Sequence, residues 1–166
     1  MQAPQYPEGL EIGIYAYKLE GGHQGRDIAE INTLNHYVGM APIDRAQMAD
    51  LDWIPFALGA LLILALRVAV VGNLRSLIDL VVVTSYFGLF SFARFSYRMY
   101  WLGHHLNPEA PFKMAGFTPA ILGSKQVYNF VVSSMPGWGS LGMAAFAVGT
   151  AVIAGRLIWA TRLEAK

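Results

Sequence analysis

The chain has 166 residues, of which 55% are hydrophobic and only 14% charged, and its formal net charge is +1. Soluble domains carry about 25% charged residues, so this composition points to a membrane protein and argues against a basic nucleic-acid surface. With no cysteine, disulfides, thiolate metal sites and cysteine nucleophiles are excluded; seven Met and four His remain as soft or borderline metal ligands.

Residues 1–52 are expected to form a small mixed segment outside the membrane. They hold eight acids against three bases, and such a segment raises the local cation concentration. Gln2 to Gly9 is turn and polyproline material. Leu10 to Tyr17 alternates, with Leu10, Ile12, Ile14 and Ala16 on one face, as in a short strand. Gly21 to Gly25 breaks it. Ile28, Ile31, Leu34 and Val38 then recur at helical spacing and predict a helix over 27–40.

Three membrane spans follow. Residues 53–72 form the first, with Trp53 at its interfacial end. The second covers residues 77–97 and ends in an aromatic and basic belt through Trp101. Residues 98–136 read as one long outer loop rich in Pro, Gly and Asn. The third span, residues 137–160, is rich in Gly and Ala, a composition that lets helix backbones approach a neighbour or a partner subunit. Residues 161–166 are a cytoplasmic tail. The fold class expected is therefore membrane and mainly α. Arg67, Arg75, Arg156, Arg162 and Lys166 fall on one side of a three-span chain, which assigns that side to the cytoplasm and residues 1–52 and 98–136 to the outside. Arg94, Arg98, Lys113 and Lys125 flank the outer loop and weaken that bias.

Two constellations could carry chemistry. His36 and Met40 are four apart and share a face if the helix runs through both. Imidazole with thioether suits copper, Cu(I) above all; the plainer reading is a histidine packed on Tyr37 and a methionine filling a core. The second constellation is His104-His105, with Glu109 and Met114, on the outer loop. Adjacent side chains point in different directions, so the two are not expected to share one ion. The topology places all four histidines on one side of the membrane. No phosphate loop, catalytic triad order or paired-carboxylate pattern is present, and the chain is not expected to be an enzyme in its own right.

The segments Ala3 to Leu10 (APQYPEGL), Ile31 to Met40 (INTLNHYVGM), Gly103 to Pro111 (GHHLNPEAP) and Gly116 to Gly123 (GFTPAILG) resemble a poorly characterised family of bacterial membrane proteins. Its members read roughly APQYPEGL, IN-x-LNHYIGM, GHNLDP and F-x-PPLIG in that order. The family is associated with nitrous oxide reductase accessory clusters and other copper-dependent respiratory systems. The resemblance implies a bacterial cytoplasmic membrane, a copper-related role at its outer face, and His36, Met40 and His104 at the motif positions. His105 and Asn107 replace the family's usual Asn and Asp, so no ligand role carries over to His105. The expectation is a copper-binding accessory or assembly protein of a respiratory enzyme. The alternative is a structural, non-catalytic subunit of a multisubunit membrane complex.

Overall fold

The computed structural model describes residues 1–2 and 4–164. Ala3, which opens the first motif, and residues 165 and 166 of the expected tail lie outside the described residues. In chain order the elements are β1 (Ile12–Ile14), β2 (Leu19–Gly21), α1 (Arg26–Val38), α2 (Asp50–Val71), α3 (Leu74–His104), β3 (Gly123–Val127), β4 (Phe130–Ser134) and α4 (Trp138–Glu164). One-turn 3-10 segments precede α1 at His23–Gly25 and α2 at Arg45–Gln47.

Helices α2, α3 and α4 have 22, 31 and 27 residues, and each is long and apolar enough to cross a membrane. At 1.5 Å per residue even the shortest reaches roughly the 30 Å of a hydrocarbon core. The three together mark a mostly helical, multi-pass membrane protein. The second helix extends well beyond the 77–97 expected: the belt from Ser91 to Trp101 does not end it, and it continues to His104. The connection before it is tighter than expected. Gly72 takes the left-handed conformation (φ +65°) that closes α2, and the Asn73 side chain accepts the Ser76 N–H at 2.7 Å as the cap of α3.

The chain divides into two compact units. The first joins Met1–Trp53 to Arg94–Met135, and the second joins Ile54–Ala93 to Pro136–Lys166. In the first unit β1 and β2 form an antiparallel hairpin, Ile12 opposite Gly21. The stretch 98–136, expected as one long loop, is not irregular throughout. It contains a second hairpin, β3–β4, with Val127 opposite Phe130 across a two-residue turn at Tyr128–Asn129. The β-branched run Val131-Val132 beside Asn129 is the local signal for it. Gln2 and Val131 exchange backbone hydrogen bonds at 2.8 and 2.9 Å, so the first residues pair with β4. Leu10, Ile31, Leu51, Leu102, Ala120 and Val127 form the buried core of this unit. The second unit buries far less: Leu61, Leu77, Leu80 and Ala154, with Ser76 and Thr84.

Candidate functional site

The Asn35 to Met40 motif is a helix end. Helix α1 stops at Val38, and Gly39 follows in the left-handed region at φ +78°. The Met40 N–H donates to the Asn35 carbonyl at 2.9 Å, and the Gly39 N–H to the His36 carbonyl at 3.2 Å. This six-to-one and five-to-two pair is the Schellman termination, which satisfies carbonyls that a helix end leaves open. Earlier in the same motif, the Asn32 side chain clamps Ile43: its oxygen accepts the Ile43 N–H at 2.6 Å and its NH2 donates to the Ile43 carbonyl at 3.0 Å.

The Gly103 to Pro111 motif docks on that helix end. The Asn107 N–H donates to the Gly39 carbonyl at 2.8 Å, and the Phe112 N–H to the Tyr37 carbonyl at 3.0 Å. Asn107 shapes its own turn by accepting the Glu109 N–H on its side-chain oxygen at 2.9 Å. A methyl group at Gly39 would lie 2.8 Å from the Asn107 carbonyl oxygen. Further along, Phe117 packs so closely that a methyl at Gly103 would lie 1.7 Å from the Phe117 oxygen. Three of the motif segments therefore meet in one interlocked surface.

The two neighbouring histidines end α3 in parallel fashion. His104 stacks on Tyr100 with ring centroids 3.9 Å apart, and its Nδ1 lies 2.8 Å from the Tyr100 carbonyl oxygen. His105 stacks on Trp101 at 4.7 Å, with Nδ1 3.1 Å from the Trp101 carbonyl oxygen. A carbonyl only accepts, so each Nδ1 carries a proton and each neutral ring keeps its lone pair on Nε2. Each ring folds back on its own aromatic partner four residues earlier, and the two diverge as expected.

His36 is exposed and meets Tyr37 edge-on at 6.2 Å. Met40 is half-buried and lies beyond the helix terminus. The helical face that was expected to present His36 and Met40 together ends at Val38, because Gly39 turns the backbone away. Among the described residues no three His, Asp or Glu side chains converge as a metal centre would need. Helix α1 thus stops before Met40, so helical spacing by itself does not set Met40 beside His36.

The structure builds a different polar site around His23, at the stretch expected only to break the strand. His23 Nδ1 lies 2.8 Å from Asp27 Oδ1, and the other carboxylate oxygen of Asp27 accepts the Glu11 N–H at 2.8 Å. Asp27 is 1% exposed. The Glu11 N–H, with help from His23, holds its carboxyl below the usual aspartate range despite the burial. The close fit needs Gly22, where a Cβ would stand 2.5 Å from the carboxylate. His23 and Gln24 adopt positive φ of 48° and 61°, an uncommon backbone held in place beside the His23–Asp27 hydrogen bond. Tyr6, Pro7, Glu8, Arg26 and Glu30 complete a shallow cleft of about 330 Å³ beside the pair. The Tyr6 hydroxyl donates to Glu30 at 2.7 Å, which raises the phenol above its ordinary value. A buried carboxylate that accepts the Nδ1–H hydrogen bond orients the imidazole and turns Nε2 toward a ligand. The sequence signal was the spacing of four between His23 and Asp27 after a Gly-Gly pair.

No family model matches the chain, and neither a curated protein nor a solved structure matches it.

Proposed function

We propose that this chain is a non-catalytic accessory subunit of a larger complex in a bacterial cytoplasmic membrane, with its first unit outside. One observation carries the reading. The residues that make the motifs distinctive are spent on architecture: Gly39 and Met40 terminate α1, Asn32 clamps Ile43, and Asn107 docks on Gly39. Backbone groups bonded in this way, with the Asn32 side chain beside them, build a rigid surface. The Gly and Ala richness of α4 supports a partner within the membrane, since a Cβ at Gly139, Gly142, Gly149 or Gly155 would meet nothing within 4 Å. The outward assignment rests on the basic residues Arg67, Arg75, Arg156 and Arg162 at the opposite ends of the spans.

Purification in mild detergent tests the subunit reading. The expected result is a defined assembly heavier than the 18.2 kDa chain, with other polypeptides in constant ratio, that survives His36→Ala and Met40→Ala. A monodisperse single chain from its native membrane would overturn it. Sidedness is tested with an impermeant maleimide on intact cells, because the chain has no cysteine of its own. A cysteine placed at Gln24 should label and one at Arg75 should not.

The copper reading keeps one specific support: the His104 Nδ1–H is held by Tyr100, which leaves Nε2 as the donor atom. In it, His104 with His36 and Met40 would hold the ion. Purified protein from copper-replete cells should then carry about one copper per chain, falling with His104→Ala. Absence of copper in the wild type removes this reading and leaves the subunit reading standing.

A further inference from the structure

The β1–β2 hairpin ends in an exposed aromatic tip. Ile14, Tyr15 and Tyr17 are 54%, 49% and 60% exposed. The Lys18 ammonium lies 5.0 Å from the Tyr15 ring centre and 5.6 Å from that of Tyr17, and it pairs with Glu20. Arg45 ties this tip to the start of α2. Its Nε donates to the Tyr17 carbonyl at 3.3 Å, and its Nη2 pairs with Asp52 at 2.6 Å. Asp52 is the third residue of α2, and the apolar run begins two residues later at Ile54.

Other groups mark the same level. Asp50 accepts the Trp53 indole N–H at 3.0 Å and is gripped by the Arg94 guanidinium at 3.0 and 3.2 Å. An interfacial tryptophan and a belt of Arg and Asp are what a span carries where it leaves lipid. Arg45 thus links the Tyr17 backbone to Asp52, two residues before the apolar run of α2 begins.

We propose that the β1–β2 tip is an interfacial anchor whose Tyr15 and Tyr17 rings sit among lipid headgroups at the bilayer surface. An exposed cluster of one Ile and two Tyr is apolar enough to seek cover. Tyrosine suits this depth because its ring is apolar and its hydroxyl wet. Lys18 shares its charge with Glu20, so the rings carry the anchoring and anionic lipid adds little. This inference rests on α2 being a span.

Spin-label depth measurement tests it, on the full chain reconstituted in phosphatidylethanolamine–phosphatidylglycerol liposomes. Ala16→Cys puts the only thiol between the two tyrosines, Lys18→Cys provides a second position, and Phe56→Cys reports on the first turns of the span. Phe56 is 80% exposed and should report lipid through high oxygen and low nickel-chelate accessibility. The Ala16 label should show a severalfold loss of nickel accessibility relative to free label in water. That protection should vanish when Tyr15→Ser and Tyr17→Ser are added. Water-like accessibility at both hairpin positions, with Phe56 in lipid, would overturn the anchor alone. Water-like accessibility at Phe56 would overturn the span reading and the anchor with it.

Discussion

The two units of this chain are held together by different kinds of interaction. The first, Met1–Trp53 with Arg94–Met135, is specified atom by atom. Gly39 and Gly103 accept backbone neighbours where no side chain fits, and Asp27 is buried with both carboxylate oxygens bonded. The second, Ile54–Ala93 with Pro136–Lys166, buries few residues, and the glycines of α4 touch nothing. In water, each buried polar group needs a named partner, so positions become specific. A helix in lipid satisfies its backbone internally and needs only an apolar surface, so many sequences serve equally well.

Substitutions can break or sharpen this contrast. The largest effect is expected at Gly103. A methyl there collides with the Phe117 carbonyl, a backbone atom that cannot swing aside. Gly103→Ala should cost at least about 3 kcal/mol, read as lost protease resistance of the first unit in detergent. The matching change in the second unit, Gly142→Ala, should be neutral or stabilise by up to about 1 kcal/mol, since its Cβ enters open space in a helix. Equal effects at the two sites would erase the distinction. Gly39→Ala comes next. The left-handed backbone costs about 1–2 kcal/mol for a residue with a Cβ, and the contact with Asn107 adds to it. A lowered melting temperature checks this, and an unchanged one would show that the helix end relaxes.

Asp27→Asn should have a smaller effect that depends on pH. The folded carboxyl lies below the ordinary aspartate value of 3.8. The ionised group therefore stabilises the fold fully above that value, and the contribution is lost as pH falls through the lower, folded one. Asp27→Asn should melt below wild type at neutral pH and show a flatter acid limb. Parallel acid limbs would remove Asp27 from the account. The smallest effect is expected at Thr84, whose buried hydroxyl has no hydrogen-bond partner among the described residues. Thr84→Val should be neutral or stabilise by up to about 1 kcal/mol, measured by unfolding in detergent. A clear loss would show that the second unit also relies on a specific polar contact.

The three long apolar helices were legible in the sequence because apolar runs of about twenty residues have few other uses. Their ends were less legible. Helix α3 runs to His104 because Arg94 and Arg98 find partners in Asp50 and the Gln47 carbonyl instead of ending the helix. The β3–β4 hairpin was hidden by the Pro and Gly around it. The shared helical face of His36 and Met40 assumed a continuous helix, and one left-handed glycine ends that helix between them. His23 and Asp27 showed only a spacing of four after a Gly-Gly break.

Composition and apolar run length alone determined the membrane class and the three candidate spans, since transfer into lipid is a sum over local residues. Tertiary structure decided what the motifs do and which imidazole gains a buried carboxylate. Those outcomes depend on backbone hydrogen bonds between segments far apart in the chain, Gly39 with Asn107 and Gln2 with Val131. No local pattern encodes such meetings, because each requires two distant backbones to reach the same few ångströms of space.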